Sequence, residues 1–256
     1  EGKMPACGHD NHMAMLLGAA KILTTIRDEI PGTVKLLFQP GEEIFAGGKA
    51  CVEEGVLENP KVEAAFAMHV SPQVPTGIIA TGIEAMSSVF GFKIEIEGKG
   101  GHGSTPNICI DPINVGVHIH LALQELISRE CTPLSHPALT IGQFQAGDTA
   151  NVIPQRCVMS GTLRTFDPKV TAFMIQRINE VVPSVAATYR ATATVTELYN
   201  VPAVLCSKEL NDFFTDAIQE AEPQVRFVHS MHAMGSEDFA FISEKIPSSY
   251  FALGCA

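Results

Sequence analysis

An α/β fold interrupted by a smaller α+β insertion is what this 256-residue sequence predicts. Three observations carry that prediction. Short continuous apolar runs, VKLLFQ at 34–39 and VEAAFAMHV at 62–70, alternate with stretches of helical periodicity, as strands buried on both faces alternate with the helices that cover them. Near Met86 the pattern changes to strands of two-residue alternation and amphipathic helices in the order β-α-β-β-α-β, which suits a small open-faced, ferredoxin-like sandwich. From Ser207 to Cys255 the chain resumes helix, strand, helix and strand. Residues 1–86 and 199–256 therefore form the α/β domain, and residues 87–198 the inserted one.

Each element follows from local pattern. MAMLLGAAKILTTIRDEI, at 13–30, spaces its apolar residues as a helix does, with Asp10 as its N-cap. VKLLFQ reads as a buried parallel strand, GGKACVEEGVL (47–57) as a helix of about three turns, and VEAAFAMHV as a second buried strand. In the insertion, SVFGFKIEIEG (88–98) alternates like a half-exposed strand, and DPINVGVHIHLALQELISRE (111–130) is an amphipathic helix. PALTIGQFQAG (137–147) and RCVMSGTLRTF (156–166) are strands, DPKVTAFMIQRINEVVPSVA (167–186) is a helix, and YRATATVTEL (189–198) is the last strand.

Composition narrows the function. A formal charge of −11 without any Lys/Arg cluster argues against nucleic acid and anionic membrane as partners. Seven cysteines with no repeating spacing suit a reducing cytoplasm better than a disulfide framework. Neither a secretory leader nor an apolar run of the ~20 residues that a span needs is predicted.

Five features carry chemistry: Cys7 with His9 in PACGHDNH, the pair Glu42-Glu43 in FQPGEE, His69 near a strand end, His102 in GKGGHGSTP, and GSEDF at 235–239. Singly each has an ordinary explanation. Cys7 can be a small buried residue, His9 and His12 can cover a first helical turn, the glutamates can be a solvated surface, and His69 can be a hydrogen-bonded strand histidine. Together they supply thiolate, imidazole and carboxylate ligands of the kind Zn²⁺ and similar cations accept. One glutamate can ligate while its neighbour takes a proton from water. GKGGHGSTP lacks the ending of a phosphate-binding P-loop, and its glycines instead let His102 project on a loop. A rival reading makes Cys7 a nucleophile activated by His9, a thiol hydrolase.

ACGHD, QPGEE, His69, GKGGHGSTP, NVIP at 151–154, GTLRTFD at 161–167 and GSEDF resemble, in that order, the M20 metallopeptidase family. Within it they are similar to the amidohydrolase branch of hippurate hydrolases, indole-acetyl-amino-acid hydrolases and N-acetyl-diaminopimelate deacetylases. The resemblance implies a zinc-peptidase-like catalytic domain with a lid and dimerisation insertion, hydrolysing the amide bond of N-acyl amino acids or small peptides. It further implies two divalent metal ions (Zn, Mn, Co or Ni) held by Cys7, His9, Glu43 and His69, with Glu42 as general base and acid. His102 would stabilise the oxyanion, from the lid of a homodimer's other subunit. Asn151 and Arg164 would bind substrate, Arg164 through a carboxylate, and Met234 would line the pocket. The sequence departs from the family at Pro5, where a histidine is usual. The family's last metal-ligating histidine would fall beyond Ala256 and its first sheet strands before Glu1, since His229 and His232 precede GSEDF and do not match it. On that expectation the catalytic domain is incomplete at both ends, and a non-catalytic binding protein is the alternative reading.

Overall fold

A computed structural model describes residues 6–256, so Pro5 lies outside the described residues. In chain order the elements are α1 (His9–Thr25), α2 (Gly47–Glu53), β1 (Ala65–Ser71), β2 (Ile78–Thr81), β3 (Glu84–Met86), β4 (Val89–Glu97) and β5 (Gly101–His102). They continue with α3 (Pro112–Glu125), β6 (Ala138–Ala146), β7 (Val152–Ile153), β8 (Arg156–Arg164), α4 (Pro168–Thr188), β9 (Thr192–Val201) and β10 (Val204–Leu205). Last come α5 (Lys208–Ala221), β11 (Arg226–Val228), α6 (Ala240–Ser243) and β12 (Ser248–Gly254). The chain divides into two compact units. One comprises the residues up to Met86 with Val204–Ala233 and Glu237–Ala256; the other comprises Ser87–Ala203 and Met234–Ser236.

The first unit is built on a mixed sheet of order β1-β12-β2-β11, in which β1 runs parallel to β12 and β12 antiparallel to β2. Residues alternate across β1. Phe66 meets Phe214 of α5 and Phe251 of β12 at ring separations of 4.6 and 5.3 Å, so His69, three positions on, belongs to the opposite face. Because β1 is an edge strand among the described residues, backbone groups on its free side need partners from elsewhere.

The second unit has the β-α-β-β-α-β order, with a sheet of order β6-β8-β4-β9 in which every neighbouring pair is antiparallel. Phe90, Phe92, Ile94 and Ile96 of β4 face Val115, Ile119 and Leu123 of α3 and Met174, Ile178, Val182 and Ala186 of α4. The four-residue spacing on both helices gives each one apolar stripe. Each of these large side chains stabilises the unit by roughly 1.5–3 kcal/mol through burial. On the other face of β4, Lys93 pairs with Glu95 at 3.1 Å, and Glu95 also pairs with Arg156 of β8.

Five local expectations are corrected. VKLLFQ forms no strand: Val34, Leu36 and Phe38 are exposed, and among the described residues no strand pairs with it to supply the ladder that a buried run needs. Asp10 lies inside the first turn of α1, while the N-cap is Gly8, whose φ of 91° sets the entry of the chain. The strand at 88–98 is buried more fully than its alternation suggests, being central in its sheet with Tyr199 over Gly91. The helix from 111 finishes as a π-turn over Leu126–Glu130. Residue 199 falls inside β9, so the second unit ends at Ala203, and Met234–Ser236 also belong to it.

Candidate metal centre

Four segments of the first unit bring ligand-type atoms together. Gly8, in a left-handed turn between Cys7 and His9, brings both side chains toward β1. A Cβ there would lie 2.6 Å from Val70 Cγ2, so the close approach requires glycine. Cys7 Sγ lies 3.4 Å from His69 Nε2. His69 Nδ1–H donates to the Val70 carbonyl at 2.6 Å, which leaves the Nε2 lone pair facing the thiol.

Glu42 and Glu43 stand on a single 3₁₀ turn, Glu42–Ile44, flanked by the left-handed residues Gly41 (φ 65°) and Phe45 (φ 53°). The tight turn lets neighbouring side chains approach one site, which an extended strand would forbid. His9 Nε2 is 3.9 Å from Glu42 and 3.7 Å from Glu43. The donor atoms of Cys7, His9 and His69 all lie within 4.8 Å of one another, as do those of His9, Glu42 and Glu43, and of Glu42, Glu237 and Asp238. Thiol, imidazole and carboxylate at these separations fit a borderline divalent cation, and His9 is common to two of the groups.

Electrostatics divides the labour. In the metal-free protein burial, then the carboxylates of Glu237, Glu43 and Asp238, push Glu42 up to about 7, where a carboxyl group can both accept and return a proton near neutrality. Burial, then the hydrogen bond and charge of Glu43, raise the Cys7 thiol to about 11 in the metal-free protein. A thiol held that high is the reverse of an activated nucleophile, and it hydrogen-bonds with His69 and Glu43, where the thiol-hydrolase reading requires His9.

Sequence reasoning gave no role to three residues that support this site. The Val70 N–H, on the free side of β1, donates to His12 Nε2 at 3.0 Å. Burial, followed by His69 and His9, holds His12 down at about 4, so it serves there as a neutral acceptor. Glu237, in the flagged GSEDF stretch, is pushed up to about 7, chiefly by burial, and accepts from Phe239 N–H and Tyr250 O–H, each at 3.2 Å. Asp238, fully buried, accepts from Gly48 N–H at 2.7 Å and from Gln39 Nε2.

The other expected residues lie in the second unit. β5 pairs with β7 in a small two-stranded sheet, and Gly103 N–H donates to Asn151 O at 2.8 Å, so His102 and Asn151 stand beside one another although 49 positions apart in sequence. His102 Nδ1 accepts from Ser104 N–H at 3.2 Å and meets Ser104 Oγ at 2.8 Å, so the neutral ring carries its proton on Nε2. Arg164, at the end of β8, donates to the Met234 carbonyl at 2.8 Å and to Ser236 Oγ at 3.0 Å.

The family model of peptidase family M20/M25/M40 matches residues 1–256. The chain belongs to that family. It is 41% identical over 260 residues to an IAA-amino acid hydrolase ILR1-like 2 of Arabidopsis thaliana, covering 99% of this chain and 58% of the relative. With an N-acetylcysteine deacetylase of Bacillus subtilis it shares 39% identity over 99% of this chain and 66% of the relative. A solved Bacillus subtilis structure described as a dinuclear metal binding peptidase of the M20 family superposes with a TM-score of 0.79 at 35% identity, covering 99% of this chain and 65% of that one. The chain thus spans roughly three-fifths to two-thirds of the length of these M20 relatives. Among its described residues no helix is long and apolar enough to cross a membrane.

Proposed function

We propose that this M20 chain provides the metal-binding and lid portions of an amidohydrolase that cleaves the amide bond of N-acyl amino acids or small peptides in the cytoplasm. The observation that carries the reading is the convergence of Cys7, His9, Glu43 and His69 beside a Glu42 whose carboxyl group is pushed up to about 7. Relatives named for IAA-amino acids and N-acetylcysteine support the substrate class. Cys7, His9, Glu43 and His69 would hold two divalent cations, drawn from Zn, Mn, Co or Ni, which when bound polarise the amide carbonyl and acidify water.

The remaining steps belong to the chain's own side chains. Glu42 takes a proton from the attacking water and returns it to the departing amine nitrogen, a role worth typically 10²–10⁴-fold in rate. His102, with its proton on Nε2, donates to the oxyanion as the carbonyl carbon becomes tetrahedral. Arg164 pairs with the substrate carboxylate and Asn151 orients the acyl amide. A homodimer formed through the second unit would bring the His102 of one copy to the metal site of the other.

Glu42→Gln keeps the size of the side chain and removes the proton acceptor. The expected result is loss of turnover of N-acyl amino acids with metal content, read by inductively coupled plasma mass spectrometry, unchanged. Retained turnover overturns the assignment.

A further inference from the structure

We infer that Asp238 is a positioning residue whose single carboxylate ties together the two ends of the loop that presents Glu42 and Glu43. One carboxylate oxygen accepts from the Gln39 side-chain amide, and the other accepts from the Gly48 backbone N–H at 2.7 Å. Gln39 stands just before the loop and Gly48 in the first turn of α2 just after it. The segment 40–47, with both glutamates on it, is therefore clamped at its base.

The rest of the loop is shaped to need such a clamp. Its two left-handed residues include Phe45, which is not glycine, and that backbone persists only where the surroundings impose it. It closes on itself through Phe45 N–H to Glu42 O at 2.7 Å and Ala46 N–H to Gly41 O at 3.3 Å. At the base there is no room for a side chain. A Cβ on Gly48 would lie 2.3 Å from the Asp238 carbonyl oxygen, and one on Gly47 only 1.4 Å from that of Pro40. Asp238 is itself anchored where α6 begins, its carbonyl accepting from Phe241 N–H at 3.1 Å. Besides its neighbour Glu237, the buried carboxylate thus holds two amide donors at the ends of one loop, and through them it fixes the direction in which Glu42 and Glu43 point.

The inference rests on the roles proposed above for Glu42 and Glu43, so the test carries Glu42→Gln as its reference. Asp238→Ala and Asp238→Asn are made in the full chain. Turnover of a panel of N-acyl amino acids is followed as kcat and KM separately, and Zn²⁺ affinity is measured by competition with a chromophoric chelator, which needs no turnover. Asp238→Ala should lower kcat by on the order of 100-fold, as misplacement of reacting groups does, and weaken Zn²⁺ binding while KM stays nearly constant. Asp238→Asn should recover most of both losses, because its carbonyl can still accept from Gly48 N–H while the Gln39 amide turns to accept from the new NH₂. Unchanged kcat and Zn²⁺ affinity in Asp238→Ala, beside a dead Glu42→Gln, overturns the inference and leaves the functional reading standing. An active Glu42→Gln overturns that reading instead. Should Asp238→Ala show no cooperative unfolding transition, Gln39→Leu removes one arm of the clamp while Asp238 keeps its bond to the Gly48 N–H and still fills its site. Weakened Zn²⁺ binding in that variant supports the inference, and wild-type binding overturns it.

Discussion

Gly8 shows how much one backbone setting decides at this site. Its left-handed φ of 91° lets Cys7 and His9 turn toward β1, and the space its Cβ would need is filled by Val70 Cγ2 at 2.6 Å. Gly8→Ala therefore meets both backbone strain and a clash, and should destabilise the chain by about 1–3 kcal/mol. Zn²⁺ affinity in a chelator competition should fall with it, because Cys7 and His9 move apart; unchanged affinity would show that the turn does not place them. At this scale the sequence is informative about chemistry and mute about support. Cys7, His9, Glu42, Glu43 and His69 are legible because thiol, imidazole and paired carboxylates together make a set of metal-ligand type. His12 and Asp238 are not, since their work is to accept hydrogen bonds from Val70 and Gly48, 58 and 190 positions away in sequence. GSEDF drew notice as a motif, yet nothing local reveals which of its carboxylates faces the Glu42 loop.

Among the elements, α4 is the most completely written in the sequence. Asp167 caps it by accepting from Lys169 N–H at 2.7 Å, Pro168 takes the first helical position where no amide donor is needed, and every fourth residue from Met174 to Ala186 is buried. Asp167→Ala should cost about 1 kcal/mol in chemical denaturation, the usual worth of a cap. α4 is also tied to the turn after α3, since Arg177 Nε and Nη2 donate to the two oxygens of Glu130 at 2.6 and 3.0 Å. The Arg177 hydrogen bonds and charge hold Glu130 below the ordinary carboxylate range, so this pair stabilises above the unfolded pKa and stops doing so as pH falls through the folded one. In Arg177→Met the melting temperature should lie slightly below wild type at neutral pH and converge with it in acid. A gap that persists in acid would show that the loss is packing alone. The strand expected at 34–39, which the structure does not form, is the counter-example. Its apolar run satisfies the same rule as β1, but a run of apolar residues specifies burial only where a neighbouring strand completes the ladder, and composition says nothing about that neighbour.

Across the whole molecule the two units differ in what holds them. The large buried cluster, from Phe90 to Ala191, lies wholly in the second unit. In the first, α1 buries no residue fully, and three groups of metal-ligand type stand close together with several carboxyl groups repelling one another. Such a unit gains more than its companion from a cation that neutralises the repulsion and binds only the folded form. In calorimetry of chelator-treated protein, a transition assigned to the first unit should therefore move upward on adding Zn²⁺, with about 2.7 kcal/mol of stabilisation when free metal reaches 100 times its Kd. Cys7→Ser should lose most of that shift. Ile178→Ala, which empties part of the other core, should lower the second unit's transition by an amount corresponding to 2–5 kcal/mol while leaving the zinc response intact. A single transition that moves under both perturbations would mean that the units unfold as one, and that the metal stabilises the apolar core as much as its own site.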